Sequence, residues 1–151
     1  MSIGPTIIPG LRSPYEMVGG LVYFGRMLDK IRLHAENKLP ENWVVALGLV
    51  TGFDGSCCRF LRIPYPELKA ETLKGGTDEN LLEWVFQRGY RPEEHEIEAW
   101  NAFSLKRGWR DKYAVRVRTR LEEAGLPTDA VVTMFDFIDL DEGRPLRFAT
   151  A

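Results

Sequence analysis

No stretch of this chain is long and apolar enough to cross a bilayer. A spanning helix needs about 20 predominantly apolar residues, and the longest apolar run, Trp43 to Val50, is far shorter. Cysteine is scarce. The two present, Cys57 and Cys58, are adjacent, and neighbouring cysteines pair only at strained geometry. A disulfide framework is therefore not expected, and two free thiols point to a reducing compartment. The first ten residues lack the basic and apolar blocks of an export signal, so a cytoplasmic protein without membrane association is expected. Histidine occurs only as His34 and His95, with no ligand spacing to each other or to the cysteines. That argues against a zinc site. Neither standard phosphate-binding glycine loop occurs, so no cofactor is expected. The formal charge is −2, which gives no global attraction to nucleic acid or to an anionic membrane.

What remains is an ordinary globular composition: 151 residues, 44% hydrophobic and 28% charged, enough for one buried core. No internal repeat or low-complexity tract interrupts it. Residues 1–12 carry Gly4, Pro5, Pro9 and Gly10 and read as an extended arm, with Ile7, Ile8 and Leu11 available to pin it. Ser13-Pro14 reads as a helix start, with serine capping and proline in the first turn. Met17, Leu21, Phe24, Leu28 and Ile31 then recur at helical spacing, which predicts a first helix to about Ala35. Gly19-Gly20 inside it implies close approach of another helix. Trp43 to Val50 reads as a buried connector. Short helices are expected over 56–62 and 66–73, separated by Ile63-Pro64. Thr77 caps the next, which ends at Gly89. Two more run from Pro92 to Gly108 and from Asp111 to Ala124, and the last opens at Thr128.

These segments predict an all-α fold, a bundle of about five to six helices with short loops. The expected organisation is an arm over 1–12, one helical domain over 13–146 and a short tail over 147–151.

Arg12-Ser13-Pro14, Gly19-Gly20-Leu21 and Arg26-Met27-Leu28-Asp29-Lys30 carry a family likeness. Asp78-Glu79 with Trp84 adds to it, as does the closing run from Phe135 to Arg144. In order and spacing these resemble the uncharacterised bacterial family known as the domain of unknown function five-zero-six-nine, over about residues 10 to 144. Residues 40–60 are less typical of it. The resemblance implies a compact helical bacterial protein and no particular activity.

Three charged constellations stand out. Arg26, Asp29 and Lys30 lie on neighbouring helical positions among apolar residues. Charges in such surroundings need partners, so an ion-pair network joining the first helix to the last is the default. A ligand carboxylate or phosphate on Arg26 is the functional alternative. Asp136, Asp139 and Glu142 recur three apart at the carboxyl end of the last helix, where negative charge is unfavourable. Arg144 is the nearest answering cation. Grouped carboxylates can bind magnesium or calcium, but the run does not fit a calcium-binding loop, so no metal is assigned. Third, Lys106, Arg107, Arg110, Lys112, Arg116, Arg118 and Arg120 crowd one stretch with Trp109 and Tyr113. Cations with rings suit single-stranded nucleic acid. Pairing with the acidic helix carrying Glu93, Glu94, Glu96 and Glu98 is the favoured reading, and nucleic acid is disfavoured as a partner.

Two function classes follow. The first is a small binding or protein-interaction domain without a catalytic motif, with a homo-oligomer or another protein as partner. The second is a small-molecule enzyme, or a metal-dependent ligand-binding protein, with a site between the first and last helices. There Arg26, Asp29, Lys30, Asp136, Asp139, Glu142 and Arg144 would meet an anionic small molecule.

Overall fold

A computed structural model describes residues 7–148. The start of the expected arm (1–6) and the end of the expected tail (149–151) lie outside the described residues. The described residues form eight helices and one two-stranded antiparallel hairpin. The chain is mostly helical, as expected, but the count of about five to six helices and the absence of strands are corrected. In order the elements are β1 (Met17–Val18), β2 (Leu21–Val22), α1 (Phe24–Ala35), α2 (Glu41–Val44), α3 (Phe53–Leu61), α4 (Tyr65–Thr72), α5 (Asp78–Arg88), α6 (Glu94–Lys106), α7 (Ala114–Glu123) and α8 (Met134–Asp141). They fall into two compact units, one over residues 10–100 and one formed by the residues before and after that range.

The largest correction lies at the start of the first unit. Ser13 does not open a helix; its hydroxyl accepts the Tyr15 amide at 3.2 Å, closing a turn. Gly19 and Gly20 both have positive φ, 57° and 82°, the geometry of a tight two-residue hairpin turn. Met17 pairs with Val22 and Val18 with Leu21. The expectation of a helix approaching Gly19 holds in a different setting, because a Cβ there would collide with Leu82 of α5.

The chain enters α1 through Tyr23, whose φ is 75°. A bulky residue in that region costs about 1–3 kcal/mol unless the surroundings hold it. Eight of the twelve residues of α1 are buried, so this helix is central to its unit. It packs on β1 and α4, while α4 also meets α3 and α5, and α5 meets β1. Phe24, Met27, Leu28 and Ile31 are almost fully buried, each worth about 1.5–3 kcal/mol for complete burial. Trp100 closes this unit, donating from its indole to the Val22 carbonyl at 3.2 Å and stacking on Phe60.

The connector from Trp43 to Val50 is not buried. Val45 is 80% exposed and Val50 68%. Its backbone is gripped closely by the fold. The Gly48 amide donates to Asp54 at 2.9 Å. A Cβ on Gly55 would stand 2.6 Å from the Val50 Cα.

In the second unit α7 packs on α8. Val117, Leu121, Phe135 and Phe137 are buried. The Met134 amide donates to the Arg107 carbonyl at 2.9 Å. The last helix is capped by Thr133, whose hydroxyl accepts the Asp136 amide at 3.2 Å, and not by Thr128. Residues 126–133 remain a loop with Pro127 in it.

Gly55 provides a signed test of the connector contact. Alanine is the better helix former by about 1 kcal/mol, so an unconstrained position would gain stability from the change. Because Gly55 lies against backbone that cannot rotate away, Gly55→Ala is expected to lose about 1–3 kcal/mol. Equilibrium urea unfolding measures it, and a gain would overturn the contact.

Candidate functional site

In the first unit α1 turns three successive charges to different partners. Asp29 is clamped by Arg12: the Arg12 amide and Nε both donate to Oδ2 at 2.9 Å, and Nη2 donates to Oδ1 at 3.0 Å. Arg12 also reaches Asp78 through Nη1 at 2.8 Å, and Arg32 meets the other Asp78 oxygen at 2.8 Å. Asp29, Arg12, Asp78 and Arg32 thus form a chain of alternating sign. Burial alone would raise the Asp78 pKa, but the hydrogen bonds from Arg32 and Arg12 outweigh it and hold the carboxyl below its usual value. Arg26 is buried. It donates to the Arg12 carbonyl at 3.0 Å, and its guanidinium carbon lies 5.8 Å from the Trp43 ring centre.

Lys30 belongs to a second cluster. Its ammonium lies 2.8 Å from both the Tyr23 hydroxyl and Asp54 Oδ1. Tyr23 donates to the same carboxylate oxygen at 2.6 Å. Burial, with Asp54 adding to it, keeps the Tyr23 phenol well above its ordinary pKa. The phenol is therefore a neutral hydrogen-bond donor, not a base. Burial also pushes the Cys57 thiol up and takes Cys58 to about 12. Neither is a thiolate at neutral pH, so neither is poised as a nucleophile.

In the second unit α8 carries Asp139 with its side chain 1% exposed. Arg144 donates from Nη1 to Asp139 Oδ1 at 3.2 Å and to Glu142 Oε1 at 2.5 Å, and Arg147 Nε lies 3.7 Å from Asp139 Oδ2. Asp139, Glu142 and Arg144 come together as expected. Asp136 has a different setting, half-buried in the first turn beside the Thr133 cap. Desolvation raises the pKa of Asp141, at the end of the same helix. Among the described residues, no group of three or more His, Cys, Asp or Glu side chains is arranged to hold a metal ion. No described helix is long and apolar enough to cross a membrane.

The basic constellation runs from the end of α6 into α7. Asp111 uses its carboxylate to order the turn between them, accepting the Gly108 amide at 2.9 Å and the Tyr113 amide at 2.8 Å. Arg107 lies over the rings of Tyr113 and Phe103, at 3.8 and 5.1 Å from their centres. Arg120 pairs with Glu123. The other five cations, Lys106, Arg110, Lys112, Arg116 and Arg118, are exposed. Among the described residues of their own unit, none has a carboxylate within ion-pair distance. The first turn of α7 holds no acidic residue, so cations crowd the positive end of a helix dipole, an arrangement that is itself unfavourable.

Sequence reasoning passed over Arg12, Tyr23, Asp54 and Asp78 as site residues. Asp54 before Gly55 has the look of a helix cap. The available signal was Gly19-Gly20 between apolar pairs, a hairpin mark that places Tyr23 at a helix entrance.

Arg144 tests the α8 cluster. Removing one partner of a buried ion pair costs about 3–5 kcal/mol, since the other charge stays buried. Arg144→Ala is expected to lose stability of that order at pH 7. It should recover part of it as the pH falls, because a buried carboxylate that loses its nearest cation is costlier to keep ionised, and protonation relieves that cost. Thermal melts between pH 4 and 8 check both, and a flat profile would overturn the assignment.

No curated protein matches the chain. The family DUF5069, a domain of unknown function, matches residues 8–144. The order of motifs along nearly the whole length and this match agree, and the chain belongs to the DUF5069 family.

Proposed function

We propose that the chain is a non-catalytic binding domain whose working surface is built on the exposed basic segment of residues 106–118, and that its partner is anionic. One observation carries this reading: five exposed cations without a carboxylate partner among the described residues of their own unit. The charged clusters on α1 and α8 are answered from within. Asp29 and Asp78 face Arg12 and Arg32, Lys30 faces Asp54, and Asp139 and Glu142 face Arg144. A concentration of one charge sign along a short segment attracts a polyanion, and binding is favoured by release of the polyanion's condensed counterions.

A chain of net charge −2 is not retained by a polyanion through its global charge. Retention on immobilised heparin at neutral pH and low salt is therefore expected from the local face alone. Lys112→Glu with Arg116→Glu is expected to abolish it while leaving the melting temperature within a few degrees, since both residues are exposed. Flow-through of the wild-type protein at low salt would sink the reading.

A second reading, a small-molecule enzyme, has one observation in its favour. Tyr23, held at a positive φ, presents its hydroxyl to both Lys30 and Asp54, and backbone strain gathers at active sites. Strained catalytic groups often cost stability, so their replacement is neutral or stabilising. Tyr23→Phe decides between the roles in a denaturant titration. A loss of about 1–3 kcal/mol marks a structural hydrogen bond, and a gain favours chemistry.

A further inference from the structure

We infer that the anionic partner of this face is a single-stranded nucleic acid, an inference that rests on the binding reading above. The observation behind it is the interleaving of exposed rings with the cations. Trp109 and Phe103 are each 47% exposed. The Arg110 guanidinium carbon lies 4.8 Å from the Trp109 ring centre, and Arg107 lies over Phe103 and Tyr113. Lys106, Lys112, Arg116 and Arg118 surround these rings along the chain.

Charge alone would serve any polyanion, including an acidic protein surface. The rings narrow the choice. A large ring left in water forfeits hydrophobic stabilisation. A base recovers it by stacking, which tolerates any sequence because every base has a π-face. Bases in a duplex are already stacked on one another, whereas those of a single strand are free to splay onto protein rings. Arginines held over rings add to the platform, since a guanidinium plane also stacks on a base. Asp111, the one carboxylate within residues 106–120, is turned to the Gly108 and Tyr113 amides. It holds the turn that presents Trp109 and, of the cations beside it, pairs with Arg107 at 3.8 Å.

The test is fluorescence anisotropy with labelled oligouridine and oligodeoxythymidine, a duplex of equal length, and polyglutamate and heparin as competitors, at several salt concentrations. The proposal expects both single strands to bind more tightly than the duplex. Trp109→Ala should weaken them about 5- to 150-fold, the loss of one stacked base, without changing the slope of log affinity against log salt. Trp109→Phe should restore most of the affinity. Lys112→Gln with Arg116→Gln should flatten that slope by about 0.7 per charge removed. Circular dichroism melts establish that each variant is folded, and both positions are exposed. Binding to heparin or polyglutamate with no preference for single strands, or with Trp109→Ala indifferent, overturns the nucleic-acid inference and leaves the anion-binding reading standing. Failure to bind any polyanion overturns both.

Discussion

Buried carboxylates must be neutralised where they lie, and the unit over residues 10–100 is organised around one that is. Asp29 is held by the amide and the guanidinium of Arg12 at once. Through the same guanidinium, Asp78 and then Arg32 are drawn into line. This chain of charges ties the segment before the hairpin to α1 and to the start of α5. An ionised carboxylate taken from water without such partners costs several kcal/mol, so the path of residues 10–16 is dictated as much by Asp29 as by the apolar residues around it. Asp54 does the same for the exposed connector, accepting from Tyr23, Lys30 and the Gly48 amide.

That economy of charge sets the basic face apart. The buried carboxylates Asp29, Asp54 and Asp139 meet cations at close range, whereas Lys106, Arg110, Lys112, Arg116 and Arg118 are exposed in a segment that also carries the exposed Trp109. The net charge of −2 is a sum over the whole chain and hides the concentration of seven cations and one carboxylate within residues 106–120. Screening makes the local density the relevant quantity for a partner, because charges beyond about 8–10 Å contribute little at physiological salt. Glu96 is spent locally, accepting from the Tyr90 hydroxyl and the Glu93 amide at the start of α6.

The fold was legible where a local signal had no competitor. Thr77 caps α5 and Gly89 ends it, as their residue types require. It misled where two signals overlapped. Ser13-Pro14 and an i, i+3, i+4 pattern argued for a helix, while Gly19-Gly20 argued for a hairpin. The hairpin prevailed because two adjacent residues at positive φ end a right-handed helix outright. Thr128 and Thr133 were equal candidates for a cap; the later one caps α8. Of the candidate site residues, Asp139, Glu142 and Arg144 are near neighbours in sequence and meet in space. Arg12 and Asp29, seventeen residues apart, form a pair that no spacing rule announces.

By itself the sequence determined the mostly helical character, the family and the crowding of cations before and within α7, because periodicity, caps and composition act over a few residues. Tertiary structure decided which charges are answered and which are left in solvent. The reason is physical: the cost of a charge depends on its burial and on partners brought from distant positions, and neither is a local property of the chain.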